Sequence, residues 1–186
     1  LIVNNKCRNI TISTSNVGII YFNNAIIMGY ASNHVNIYGS VYIKDYTYNT
    51  QGNTTPSISV KANSVLNLNG LVSYECNANS SSSILALESG SKLIMNSNSK
   101  ILSVATNFTI TGIIASGNST IITNGNPSIV INNAAQNAIT VNTGVALAVK
   151  LYGNLYTNSA INLIGTGAIS ESILGGGNII INSNVE

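Results

Sequence analysis

The side chains that most often carry catalysis are scarce in this chain: five carboxylates (Asp45, Glu75, Glu88, Glu171 and Glu186), one histidine (His34) and two cysteines (Cys7 and Cys76). The reaction that suits acids in an almost uncharged chain is glycosidic cleavage, which needs two carboxyl groups roughly 5 to 10 Å apart across the scissile bond. His34 has no alternative base beside it and no acid near it in sequence, so a hydrolytic triad has no orienting partner. It reads as a strand-surface histidine. Cys7, Cys76 and His34 lack the spacing of metal ligands, and one Asp is too few for calcium-binding nonapeptide repeats. No metal and no cofactor is expected. Gly175-Gly176-Gly177 is not followed by the Lys-Ser/Thr of a phosphate loop. It reads as a flexible corner, or as a place where backbone meets another subunit.

One segment is rich in tyrosine: Tyr38, Tyr42, Tyr46 and Tyr48 fall within eleven residues. Strand alternation with Val41 and Ile43 inward projects Tyr42, Lys44, Tyr46 and Tyr48 to one outer face. Exposed tyrosines of this kind serve as a subunit interface or as a stacking platform for sugars. Contact with another subunit is the first reading, with packing under a local loop and glycan contact behind it.

What positions these residues is set by composition and periodicity. Charged residues make up 6% of the chain and hydrophobic residues 45%, against about 25% charged in ordinary soluble domains. Asn accounts for about one residue in six. With a mean hydropathy of +0.29 this is not the composition of a disordered segment. The polar half is Asn, Ser, Thr and Gly, so its surface is hydrated without charge or covered by partners. Seven Lys and Arg against five Asp and Glu leave +2 with no basic cluster, and no nucleic-acid partner is expected. No apolar run approaches the roughly 18 residues that span a bilayer, so membrane insertion is not expected either. The opening Leu1-Ile2-Val3 has no initiator Met or signal pattern, which suggests a fragment or a processed product.

Aligned with itself, the chain repeats. Segment 57–69 matches 84–96 without a gap, and Asn63, Gly90, Gly117 and Gly144 recur every 27 residues. Before this corner lie Val60, Leu87, Ile114 and Val141. After it come Leu66, Leu93, Thr120 and Leu147, then Leu68, Met95, Ile122 and Val149. Apolar columns spaced by two are strands with one buried face, and Asn or Gly between them marks a left-handed corner. A third strand is expected at 71–74, 101–104, 128–131 and 152–156. Three short strands per period make one coil of a single-stranded parallel β-helix, an all-β solenoid of about seven coils. The whole chain, 1–186, is one domain, with irregular coils over 1–56, regular coils over 57–156 and shortened coils over 157–186. In the irregular region Ile10/Ile12 align with Val35/Ile37 and these with Ile58/Val60. In the shortened region Ile139/Val141 align with Ile161/Leu163.

The register decides the chemistry. Glu75 lies on a third strand and Glu88 beside a first corner, while Asp45 and Glu171 are about five coils apart, on the order of 20 Å. No carboxylate pair is expected within one chain, leaving a pair assembled between subunits as the alternative. Cys7 and Cys76 are about two and a half coils apart, roughly 12 Å, beyond the approximately 7 Å Cα limit for a bridge. Two free thiols are expected. Asn69, Asn96 and Asn124 keep nearly the same step and should stack as an amide ladder. The five sequons at Asn9, Asn53, Asn79, Asn107 and Asn118 follow from composition and matter only in a secretory pathway.

The segments 57–70 and 138–153 resemble the coils of viral fibre and tailspike β-helices and of bacterial autotransporter passengers. The resemblance covers roughly residues 33–182 and implies a surface-displayed module, often trimeric in the viral cases. It transfers no catalytic or binding residue. The expected function is therefore a non-enzymatic structural or adhesive module of a virion fibre or other surface protein, at the virion surface or outside the cell. It would assemble with itself, as a trimer by preference, or with a capsid or tail partner, and a host glycan is a possible ligand. The rival readings are a bacterial surface adhesin and a polysaccharide-binding or depolymerising β-helix.

Overall fold

Apolar residues two apart make strands, and recurrence every 27 or so residues stacks each strand on its own copy. The structure, a computed structural model, describes residues 2–3, 9–13, 19–22, 26–28, 34–45, 58–76, 83–96, 99–103, 111–131, 136–173 and 177–181, with side chains described within 58–71, 83–96, 99–103, 111–131, 136–171 and 177–181.

The strands run in successive sets. First come β1 (Ile2–Val3), β2 (Asn9–Ser13) and β3 (Ile19–Phe22), then β4 (Ile26–Met28) with the long β5 (His34–Asp45). Next are β6 (Ile58–Val60) with the long β7 (Val65–Cys76), then β8 (Ser83–Leu87), β9 (Lys92–Asn96) and β10 (Lys100–Ser103). They are followed by β11 (Thr111–Ala115), β12 (Ser119–Asn124) and β13 (Ser128–Ile131), and by β14 (Ile139–Val141), β15 (Ala146–Leu151) and β16 (Leu155–Thr157). The last set is β17 (Ile161–Leu163), β18 (Ala168–Ile173) and β19 (Ile179–Ile181). Every pairing among the described strands is parallel. One sheet stacks β1-β4-β6-β8-β11-β14-β17. The second strands and third strands form two further stacks, which β5 and β7 join because each runs through both without a break. This is a parallel β-solenoid. Against the expected seven or so coils, the first sheet stacks seven strands. The coils with all three strands and their side chains described are three, opening at Ser83, Thr111 and Ile139.

The interior is filled by columns along the axis. Ile58, Leu85, Ile113 and Ile139 form one, and Val60, Leu87, Ala115 and Val141 the next. On the second strands Leu66, Leu93, Ile121 and Val149 stack in register, as do Leu68, Met95, Thr123 and Leu151. All of these are essentially inaccessible to solvent. Burying each Leu or Ile contributes about 1.5–3 kcal/mol. Because each column is continuous, every coil's core is roofed by the next.

The 27-residue step is an average, not a rule. From Val60 the first strands advance 27 to Leu87, 28 to Ala115, 26 to Val141 and 22 to Leu163. The second strands advance 27, 28 and 28 from Leu66 to Val149, then 22 to Glu171. The excess of one and the deficit of one cancel at Gly144, so self-alignment hides the slip. The expected columns are corrected by it: Ala115 stands in place of Ile114, Ile121 and Val149 in place of Thr120 and Leu147, and Thr123 and Leu151 in place of Ile122 and Val149. Ile114 instead shares the alternate column with Ser59, Ala86 and Thr140. The fourth copy of the third strand is Leu155–Thr157, not 152–156. Toward the N-terminus Val35 and Ile37 stack on Leu66 and Leu68, not on Ile58 and Val60, because they belong to second strands.

At the corners, Asn63, Gly90 and Gly144 have φ of 57, 72 and 74°, the left-handed region that Asn and Gly enter at least cost. Each is the third residue of a turn closed by a backbone hydrogen bond, Ser64 N–H to Lys61 O, Ser91 N–H to Glu88 O and Val145 N–H to Asn142 O. Gly117 does not share that backbone. In register the corner residue of its coil is Asn118, and Gly117 is needed for another reason: a Cβ there would lie 2.5 Å from Ser89 N.

Candidate functional surface

Placed on these coils, Asp45 and Glu75 come onto paired strands one residue out of register, so that alternation puts them on opposite faces, while Glu88 and Glu171 lie on other parts of the coils. Glu88 follows β8 and pairs with Lys61 Nζ of the neighbouring coil at 2.5 Å, both side chains being about a third exposed. Glu75 lies near the far end of β7, its backbone in register with Lys44, and Asp45 is in register with Cys76. Glu171 lies on β18, stacked in register on Val149, and Glu186 falls outside the described residues. Glu75 therefore lies on β7 and Glu88 at the corner after β8, different places around the coil, as their register implies.

Other reactive groups are equally dispersed. His34 opens β5 in the column of Val65 and Lys92, the latter exposed. Among the described residues no group of three or more His, Cys, Asp or Glu could hold a metal ion. The hydroxyls of Ser99, Ser103 and Ser119 are buried without a hydrogen-bond partner. Ser99 and Ser103 bracket the third strand of one coil and Ser119 opens the second strand of the next, so they do not converge on one place. Cys76 ends β7, and Cys7 lies outside the described residues. Among the described residues no helix is long and apolar enough to cross a membrane.

Of the tyrosine face, Tyr42 and Lys44 lie on β5, in the column of Ser73 and the column of Glu75, while Tyr46 and Tyr48 fall outside the described residues. Val41 and Ile43 share columns with Ile101 and Ser103, which are buried. Alternation therefore leaves positions 42 and 44 on the outer side. Sequence reasoning misses that Tyr21 is in register with Tyr42 on the preceding coil. Only the pairing of β3 with β5 reveals it. It misses a second tyrosine group as well: Tyr152 is 52% exposed, and Asn154 donates from Nδ2 to the Tyr156 hydroxyl at 3.1 Å.

What the polar residues do is join coils. Asn96 Nδ2 donates to Asn69 Oδ1 at 2.9 Å, and Asn124 Nδ2 donates to Asn96 Oδ1 at 2.7 Å. The expected ladder is present, including the 28-residue step to Asn124. Asn158 acts as a substitute strand, accepting from Ile131 N–H and donating to Ile131 O, both at 2.9 Å. Asn118 Oδ1 accepts from Ala146 N–H and Asn154 Oδ1 from Asn178 N–H. Where the corner before β15 is two residues longer than its predecessor, it is thus Asn118 that satisfies the displaced Ala146 amide.

The second corner is bound differently, by contact of backbone on backbone. A Cβ on Gly153 would lie 1.9 Å from Gly125 O, and one on Gly177 would lie 2.2 Å from Gly153 O. Gly177 is the one residue of the triple-glycine segment among those described. It meets the preceding coil of its own chain, and Gly175 and Gly176 lie outside the described residues.

The fold defines the class, a parallel β-solenoid. Compared with protein-family models, with curated proteins and with solved structures, the chain matches none.

Proposed function

We propose that this chain is a non-enzymatic structural module of a surface fibre, displayed on a virion or outside a cell and assembling side by side with copies of itself, as a trimer, or with a capsid or tail partner. The observation that carries the reading is the use to which its asparagines are put. Amides of Asn69, Asn96, Asn118, Asn124, Asn154 and Asn158 all bond from one coil to the next. Such cohesion makes a stiff rod whose stability adds up along its axis. Stiffness without charge is what a packed fibre segment needs, since a neutral polar outer surface lets copies lie against each other with little repulsion.

A second reading, adhesion to glycans, is favoured by the exposed Tyr152 ring beside the Asn154–Tyr156 pair, an aromatic face next to fixed amide groups. One experiment separates the two. Light scattering after size exclusion gives the mass of the assembly, and titration of neutral and acidic oligosaccharides monitored by tyrosine fluorescence reports sugar contact. A mass three times that of the chain with no fluorescence change supports the fibre reading. A monomer at all concentrations overturns it.

A further inference from the structure

Both end rungs of the amide ladder stand before a glycine. The chain contains two Asn-Gly steps, Asn69-Gly70 and Asn124-Gly125, and each supplies an end of the ladder whose middle is Asn96. Glycine after asparagine opens the side-chain amide to attack by the next backbone nitrogen, because no Cβ screens the approach. In that reaction the glycine nitrogen bonds to the asparagine Cγ and gives up its proton, the Cγ–Nδ2 bond breaks, and ammonia leaves. Water then opens the resulting succinimide at either carbonyl, to aspartate or to isoaspartate. Ring closure rotates the peptide after the asparagine out of the extended conformation that a strand imposes. An asparagine inside a strand therefore reacts only when the strand opens.

The fold treats the two steps differently. Asn69 and Gly70 lie in the middle of β7, which runs unbroken from Val65 to Cys76, in register with Tyr38 and Gly39 of the equally continuous β5. Asn124 is the last residue of β12, and Gly125 has already left the strand with φ of 81°. Gly125 and Asn126 are exposed, whereas Gly70 is half-buried. β12 is paired on both sides, with β9 and with β15, so this is a corner of the coil and not an edge of the stack. What holds the Asn124 side chain is the bond from its Nδ2 to Asn96 Oδ1 at 2.7 Å. The group expelled by the reaction is thus the donor of the ladder's last bond. Conversion puts a carboxylate oxygen against the Asn96 acceptor. Isoaspartate also adds a carbon to the backbone of a corner that packs directly on Gly153.

We propose that Asn124-Gly125 is a self-modification site, at which the folded chain deamidates and cuts its own ladder, and that Asn96 is the side chain that restrains it. The inference rests on neither reading of the function.

The test incubates the 186-residue chain at neutral pH and follows the amide-to-acid mass shift in each Asn-Gly peptide, with enzymatic methylation of isoaspartate as a second readout. In the folded protein Asn124 should convert roughly tenfold or more faster than Asn69, since a strand end opens more readily than a strand interior. In urea the two steps should react at similar rates, which makes Asn69 the internal reference for the fold. Asn96→Ala frees the Asn124 amide and should speed conversion there by roughly threefold or more. Asn69 loses its partner in the same variant but stays held within β7, and should keep its rate. Equal acceleration at both sites would report a general loosening and overturn the role of Asn96. Asn124→Asp, the product of one branch, should melt below the unsubstituted chain, and an unchanged melt overturns the cutting of the ladder. The site itself is overturned if Asn69 keeps pace with Asn124 in the folded chain, if Asn124 stays intact while folded, or if the difference persists in urea.

Discussion

Asn96 is bonded on both sides: its Nδ2 donates to Asn69 Oδ1 at 2.9 Å and its Oδ1 accepts from Asn124 Nδ2 at 2.7 Å. The middle rung therefore has more to lose than the end rungs. Asn96→Ala removes two half-buried hydrogen bonds and strands an acceptor on one side and a donor on the other, for about 1–3 kcal/mol. Asn69→Ala removes one, for about 1 kcal/mol. Asn96→Asp keeps the bond to Asn124 but sets a carboxylate against the Asn69 oxygen, and should cost more than the alanine. Urea denaturation of the three variants gives the order. Equal costs for Asn96→Ala and Asn69→Ala would show that the ladder is not coupled.

Two glycines at corners are needed for different reasons, and their alanine variants should separate. At Gly144 nothing lies within 4 Å of an added Cβ, but φ is +74°, so alanine costs the left-handed penalty of about 1–2 kcal/mol. Asparagine, which stands at the equivalent Asn63, should recover some of it. At Gly153 the Cβ would meet Gly125 O at 1.9 Å, backbone against backbone, and no side chain can move aside. Gly153→Ala must push neighbouring coils apart at that corner and should exceed about 3 kcal/mol or prevent folding. Thermal melts with asparagine at each site provide the contrast: rescue at 144, none at 153.

The register can be checked through the positions at which average step and true pairing disagree. Ile121 is fully buried between Leu93 and Val149, whereas Thr120 is half-buried beside it. Ile121→Ala should cost about 2–5 kcal/mol. Thr120→Ala should stay within about 1 kcal/mol, despite Thr120 falling 27 residues after Leu93. On the first strands Ala115→Leu should overpack the interior by about 1–3 kcal/mol. The same denaturation assay decides. A larger loss at 120 than at 121 means the strands pair one residue away from the register described.

Why the sequence yields the architecture but not the register follows from these same residues. Parallel stacking puts like on like, so Leu66 over Leu93 and Asn69 over Asn96 repeat their chemistry at the coil length. Both the fold and the ladder are legible for that reason. The coil length is set by corners, and corners absorb a residue without changing any column: the Ser116–Asn118 corner turns with no left-handed residue, while the next is two residues longer and uses Gly144. Ile113 and Ile114 are adjacent and chemically identical, so periodicity has no means of choosing which faces inward. Pairing chooses Ile113. The candidate surface is less legible still. Tyr42 finds Tyr21 only through a 21-residue step between β3 and β5, far from the period that organises the centre.

Lys61 and Glu88 form an ion pair across coils, at 2.5 Å, with side chains 38% and 35% exposed. At that exposure the Coulomb gain is screened, and the pair should contribute about 0.2–1 kcal/mol. A double-mutant cycle over Lys61→Ala and Glu88→Gln isolates the term from the loss of either side chain alone. The coupling should fall toward zero in 1 M salt, where the screening length is about 3 Å. Adjacent corners remain joined by backbone bonds, Asn63 N–H to Ser89 O and Glu88 N–H to Val60 O, so neither substitution should loosen the strands they flank. A coupling above about 2 kcal/mol, or one insensitive to salt, would mean that the pair is shielded from water by a neighbouring copy of the chain. Repeating the cycle at a tenfold lower protein concentration distinguishes that case, because shielding by a partner is lost on dilution and shielding within one chain is not.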